Sequence, residues 1–430
     1  MNRMKTAALL LALPAVLSGC GPRSTVTNIE TDESHDRQVV LSFFGNKYEA
    51  ENVVVIEQIL DRFMEENPDI KITYESLKGA EYYDALKKRM DSGVGDDIFM
   101  VNHDTVLEFM DKGYLENLSD LESISGFSGQ ALSQMRESDG IYFVPTSMSA
   151  FGLYCNLDML EEHGQEIPED LDGFRQVCGY FTDRGITPIV ANNDISIKTM
   201  AMAKSIFPIY GAHTEEQVFG RMNAGQDLPS TYYEDGFRMM EEFCGEGYID
   251  AAEALATKKT SDDLELFAKG DRPFLITGAW AAGRVKKMNP GLRFEVHPYP
   301  VQEDGAVLVM NADTRLSVNR AGSHVDEARR FVEYFTRPEN IGAFIDNQAS
   351  FSPLNEPYKP AMKEIEPLAG YLSNGRSMFG SDNKLELPIW SMTEEASFRL
   401  LSGEPVSGIM EWLDKQALDV QKDVGYETRR

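Results

Sequence analysis

The chain has 430 residues, with 70 acidic side chains against 41 basic ones and a formal charge of −29 at pH 7. So acidic a surface repels phosphate backbones and argues against a nucleic-acid binder. It also disfavours anionic membrane surfaces and polyanionic ligands, unless a local basic pocket overrides it, and the length suits two domains better than one hydrophobic core.

At the start, Arg3 and Lys5 precede an apolar stretch from Ala7 to Val16, which only Pro14 interrupts, and Leu17-Ser18-Gly19-Cys20 follows. A charged start, a short apolar core and small residues read as a secretory signal. Roughly 10 apolar residues are too few to span the ~30 Å hydrocarbon layer, and no later run approaches that length. The ending resembles a bacterial lipobox. That resemblance implies that residues 1–20 are a leader, that Cys20 becomes the N-terminus and that its thiol carries the lipid. Several acyl chains on one residue anchor a protein stably. Residues 21–38 are polar and without apolar period, so they read as a flexible tether. Cys155, Cys178 and Cys244 remain, an odd number with no CxxC pair and no Cys/His cluster. A zinc site is unsupported; one disulfide stays open, with buried free thiols favoured.

Val39-Val40-Leu41-Ser42-Phe43-Phe44 opens the ordered chain as a buried strand, ended by Gly45 and Asn46. Val53, Ile56, Ile59, Leu60 and Phe63 recur at helical spacing, with Pro68 beyond the helix end. A strand at Ile70–Tyr74, a helix carrying Tyr82, Leu86, Arg89 and Met90, a strand at Ile98–Val101 and a helix from about Thr105 to Lys112 follow. This alternation implies parallel strands with helices on both faces. Strands are expected at Tyr142–Pro145 and Phe151–Cys155, with Pro145 to Ser149 crossing between domains. Helices are expected near 157–163, 171–184, 197–210, 233–245 and 261–269, and strands at Phe274–Thr277 and Phe294–Pro300. Arg315–Val318 and a helix over 326–336 resemble the first third again, and a mostly helical tail runs from about Ser350. A chain that leaves one domain, builds a second, returns and leaves again makes several crossings, which act as a hinge.

Six segments in this order resemble a family 1 extracellular solute-binding protein, the group of maltose- and oligosaccharide-binding receptors. They are Leu41–Phe44, Phe63–Ile72, Gly113–Leu121, Gly152–Leu160, Gly278-Ala279-Trp280 and Ala328–Glu339, and the resemblance they carry covers nearly all of the chain past the tether. Cys155 departs from the pattern, where the family usually has an aromatic or aliphatic residue. The resemblance implies an α/β fold of two lobes, each a mostly parallel sheet flanked by helices and discontinuous in sequence: 39–146 with 305–349, and 147–304 with 350–430. It implies a carbohydrate ligand in the cleft, ABC permease transmembrane subunits as partners, no catalysis and no cofactor. The protein would act as a monomer on the extracellular face of the bacterial membrane, held by its lipid alone. A polyol, a glycerophosphodiester or an amino-acid derivative as ligand stays open, as does a secreted glycosidase. Neither G-x-S-x-G, H-E-x-x-H nor a phosphate loop occurs.

Sugar recognition needs flat aromatic faces for the ring and planar polar groups for the hydroxyls, because each hydroxyl buried unpaired costs on the order of 1–3 kcal/mol. The cleft is expected beyond C-terminal strand ends. Trp280 follows such a strand beside two small residues, and the resemblance implies stacking on sugar. Phe44, Asn46 and Glu49 follow the first strand; His103 and Asp104 follow the third, Asp104 also being placed to cap the next helix. Tyr154 ends a second-domain strand. Lys78 and Arg315 are candidate donors from the first lobe, and Phe351 is a candidate lid aromatic near a crossing. Asn156 is expected to cap the helix from Leu157.

Overall fold

The computed structural model describes residues 25–27, 38–137, 140–356 and 359–427. The leader with Cys20 and most of the expected tether lie outside the described residues. Within the tether, β1 (Thr25–Thr27) runs antiparallel beside Thr27↔Tyr74 to Thr25↔Ser76 at the edge of the first sheet.

Parallel strands β2 (Val39–Gly45), β3 (Ile70–Ser76) and β4 (Ile98–Val101) centre the first lobe. Helices α1 (Ala50–Glu66) and α2 (Gly79–Asp91) connect them, and α3 (His103–Asp111) leaves β4. Val53, Ile56, Ile59, Leu60 and Phe63 form the buried face of α1. Full burial of such side chains is worth about 1.5–3 kcal/mol each, which holds the helix on its sheet. The late helix Val325–Phe335 returns here: Phe331 meets Phe63 edge-on at 5.2 Å and Phe43 at 5.7 Å.

Two long strands carry the chain between lobes. β5 (Val144–Asn156) and β10 (Gly305–Val318) run antiparallel, from Leu316↔Val144 to Val309↔Phe151. The sequence suggests two shorter strands around a break at Pro145–Ser149, but the crossing is itself extended and laddered to β10, so it merges them. Arg315–Val318 of β10 pairs with β4, whereas Leu308–Met310 pairs with β11 (Ser377–Phe379). In the second lobe β5 lies antiparallel to β7 (Phe274–Gly278) and β8 (Phe294–His297), and β6 (Ile189–Val190) is parallel to β7. The strand expected over 294–300 splits at Pro298 into β8 and β9 (Tyr299–Gln302), since proline brings no N–H to a ladder.

Helices Leu171–Thr182, Ser230–Gly245 and Asp262–Ala268 stand where the apolar periods place them. The helix expected over 197–210 divides into Ser196–Ser205 and Phe207–Gly211, with Pro208 in the first turn of the second. Glu215–Asn223 and Ala251–Ala256 are additional helices. The tail is less helical than expected before Ile389–Leu401 and Val406–Glu427. Asn156 does cap its helix, accepting from the Met159 amide at 3.1 Å. Cys155 and Cys178 are buried free thiols and Cys244 a half-buried one. Burial pushes the first two far up and Cys244 to about 11.

A third crossing pairs Met148 with Phe351. Two crossing segments hold a non-glycine residue in the left-handed region, Thr314 at φ 46° and Ala349 at φ 41°. A β-branched residue there is an outlier costing on the order of 1–3 kcal/mol. The strain sits in the segments that join the lobes.

Candidate functional site

The crossings form the floor of a cleft of about 430 Å³ between the lobes, with Ser147 and Ser149 from β5, Asp313 from β10, and Ser350. One wall comes from the first lobe: Asn46 and Glu49 after β2, Asn52 on α1, Lys78 before α2, and Asn347 and Gln348 at the end of the helix Pro338–Gln348. The facing wall brings Lys259, Trp280, Arg284 and Lys287. A larger groove of about 860 Å³ draws its walls from the second lobe alone, around Glu161, the 165–169 loop, Asp304 and Arg376. It holds no tryptophan, and of the crossing strands it meets only the second-lobe end of β10 at Gly305 and Ala306, so the cleft is the better ligand site.

Polar groups on the first-lobe wall are cross-braced. Asn52 Nδ2 donates to Glu49 Oε2 at 2.9 Å, and Asn347 Nδ2 donates to Asn52 Oδ1 at 2.6 Å. Gln348 donates to the same oxygen. Asn46 Nδ2 donates to the Tyr83 hydroxyl at 3.1 Å, while its Oδ1 is buried without a partner.

Opposite, Trp280 is half-buried just beyond β7. Gly278 makes its position possible: a Cβ there would fall 2.2–2.3 Å from three atoms of the indole. Tyr154 holds the same turn from below, its hydroxyl donating to the Gly278 carbonyl at 2.7 Å. Trp280 meets Phe151 edge-on at 5.3 Å, and Phe151 in turn lies 5.4 Å from Trp390. Trp390 is also seated on a glycine, Gly380, whose added Cβ would fall 2.9 Å from the ring. Under Trp390 the fully buried Lys198 ammonium lies 4.2 Å from the ring centre, paired with Asp194 at 3.0 Å and Glu394 at 2.7 Å. Asp194 also pairs with Lys259. Burial alone would raise the Asp194 carboxyl, but the two ammoniums override it and hold it well below the usual carboxylate range. Burial likewise pulls at Lys259, and Asp194 more than offsets it, so this ammonium stays charged at the cleft.

Four of the sequence candidates therefore line the cleft: Asn46, Glu49, Lys78 and Trp280. Three others lie at core positions. Phe44 is fully buried, 4.6 Å from Tyr82 and beneath the Arg89 guanidinium at 4.0 Å, because a parallel strand between two others is covered on both faces. Tyr154 stacks on Phe294 at 5.6 Å inside the second lobe; burial pushes its hydroxyl well up, and it acts on the site through Gly278. Phe351 is 2% exposed, its backbone bonded to Met148 at 2.8 and 3.0 Å, so it is a crossing residue and not a lid.

His103, Asp104 and Arg315 gather at the seam beside the cleft. His103 Nε2 donates to the Leu385 carbonyl of the other lobe at 3.0 Å. Burial, then the nearby Arg315 charge, lowers its pKa and leaves the imidazole neutral. Asp104 does not cap α3; Asn102 does, accepting from the Thr105 amide at 2.8 Å. Asp104 Oδ2 instead accepts from the Ser391 amide at 3.2 Å across the seam, and its Oδ1 is buried without a partner among the described residues. Arg315 is 2% exposed over Phe143, and burial pulls its pKa down to about 10. Its Nε donates to the Ala312 carbonyl at 2.9 Å, and its Nη1 has no partner among the described residues. At the mouth, Lys287 and Glu51 close the gap with an exposed ion pair at 2.8 Å. Sequence reasoning missed Lys259, Arg284 and the amides Asn347 and Gln348. None follows a first-lobe strand, and only the fold carries them to the cleft.

Residues 48–341 match the family of bacterial extracellular solute-binding proteins. The chain belongs to that family. This solute-binding protein is 22% identical over 339 residues to the multiple sugar-binding protein of Streptococcus mutans, an alignment covering 75% of this chain and 76% of the relative. It is 25% identical over 300 residues to the maltotriose-binding protein of Pyrococcus abyssi, covering 67% and 60%. Among solved structures, the raffinose complex of RafE superimposes with a TM-score of 0.72 at 22% identity, covering 89% of this chain and 100% of that one. A chitin oligosaccharide binding protein gives 0.73 at 18% identity, covering 90% and 99%. The two-lobe fold is thereby the one this solute-binding protein shares. Among the described residues no helix is long and apolar enough to cross a membrane.

Proposed function

We propose that this solute-binding protein captures a sugar or short oligosaccharide between its lobes and delivers it to an ABC importer, without catalysing a reaction on it. The carrying observation is the Trp280 indole at the cleft, seated on Gly278 and facing a wall of amides and a carboxylate. A flat apolar face opposite planar hydrogen-bonding groups suits a sugar ring and its hydroxyls. The sugar and maltotriose specificities named for the two relatives support the same reading. Asn46, Glu49 and Asn52 would hold hydroxyls, and Trp280 would stack. His103, Asp104 and Arg315 would form the inner end.

The lobe division we propose follows the sequence except on β10. Gly305–Met310 pairs with β9 and β11 of the second lobe, so the crossing on this strand falls near the strained Thr314 and not at 305. Lipid attachment at Cys20 would hold the monomer at the outer face of the membrane, within reach of permease subunits. Thermal melting against a carbohydrate panel tests the reading. A sugar at a hundred times its Kd adds about 2.7 kcal/mol to stability, and it should be recovered chemically unchanged. A panel without any stabilising sugar, or a sugar that is consumed, defeats it.

A further inference from the structure

The chain as a whole is strongly acidic, yet the cleft lining is not: it holds five basic residues, Lys47, Lys78, Lys259, Arg284 and Lys287, against four acidic ones. Two of the five are engaged, Lys287 with Glu51 at 2.8 Å and Lys259 with Asp194. For the other three, no carboxylate among the described residues stands within ion-pair distance. Arg284 gives one Nη1 bond, at 3.2 Å, to the Thr260 carbonyl, and the Lys78 ammonium lies 5.5 Å from the Tyr48 ring centre. Glu51 feels the Arg284 charge without pairing with it, and a guanidinium and an ammonium on facing walls, neither in an ion pair among the described residues, suit an oxyanion between them.

The inner end differs in kind. There the buried atoms without a partner among the described residues are a mixture: Asn46 Oδ1, His103 Nδ1, Asp104 Oδ1 and Ser350 Oγ beside Arg315 Nη1. Acceptors and a donor together suit hydroxyls, which both donate and accept. Neutral hydroxyls would be matched inside and an anionic group at the mouth.

We propose that the ligand is an acidic sugar, whose oxyanion substituent is gripped at the mouth of the cleft by Arg284 and Lys78. The inference rests on the sugar reading and names its chemical class. Titration calorimetry on the full chain tests it, comparing uronide oligosaccharides with neutral oligosaccharides of equal length, and a sulfated set to separate carboxylate from sulfate. The acidic member is expected to bind about tenfold tighter at low salt, equivalent to about 1.4 kcal/mol. The advantage should shrink in about 0.5 M salt, where the Debye length falls to a few Å. The double variant Arg284→Gln, Lys78→Gln should bring the acidic-to-neutral ratio close to one, with melting temperature as the check on folding. Neutral sugars binding as tightly as acidic ones, or a ratio that survives the double substitution, overturns the inference and leaves the sugar reading standing. Binding of no sugar in any set overturns both.

Discussion

Gly278→Ala isolates the seating of Trp280 from almost everything else. Gly278 has φ −76° and ψ 145°, a conformation alanine adopts without strain, so the backbone gives no objection. Such a change by itself stabilises by roughly 0.4–1 kcal/mol through the unfolded chain. The added methyl, however, would sit 2.2–2.3 Å from three indole atoms, where carbon contacts settle near ~3.5–4.0 Å. The ring must move by more than about 1 Å, and overpacking of this kind costs about 1–3 kcal/mol where nothing can yield. Trp280 is half-buried at an open cleft, so it can swing outward, and the stability loss should stay at the low end. Affinity should suffer more. Truncating an aromatic anchor costs about 2 kcal/mol or more, and displacing one should weaken sugar binding about tenfold. Calorimetry with a sugar found by thermal melting, beside urea unfolding of the free protein, measures both terms. An unchanged Kd would refute the reasoning, because either the indole is not the stacking face or its seat does not matter.

Other expectations follow from neighbouring contacts. Tyr154→Phe removes the hydroxyl that holds the Gly278 carbonyl, and urea unfolding should register a loss of about 0.5–1.5 kcal/mol, with a smaller affinity loss than Gly278→Ala. His103 has a folded-state pKa below that of the unfolded chain, so the unfolded state binds the extra proton. Its contribution is complete above about pH 6.5 and is lost as the pH falls below it. His103→Gln should therefore flatten the acid side of the melting-temperature profile; an identical profile would speak against the buried seam. Cys20→Ala should move the protein from the membrane fraction to the soluble fraction in a lipidating bacterial host, and continued membrane retention would exclude Cys20 as the anchor.

Much of this was legible in the residues. The 3.6-residue spacing of Val53, Ile56, Ile59, Leu60 and Phe63 gives α1, because only one face of a helix can meet a sheet. The apolar runs at Val39–Phe44 and Ile98–Val101 give parallel strands, the second covered on both sides and the first from Phe43 onward. Trp280 could be placed at a strand end because Gly278 and Ala279 left room beside it. Other local signals misled. Phe44 and Tyr154 occupy strand ends as Trp280 does, but burial depends on which face the neighbouring helices cover, and sequence spacing does not carry that. Helix Glu215–Asn223 escaped notice because its apolar stripe is only Val218, Phe219 and Met222.

By itself the sequence determined the acidic composition and the alternation of strands and helices, because each is written in composition or in a local period. Only the tertiary structure decided which side chains share the cleft. Lys78, Lys259, Arg284 and Gln348 come from segments up to hundreds of residues apart, brought together by β5 and β10 crossing between the lobes. Side-chain chemistry is local, but proximity across a hinge is a property of the closed chain.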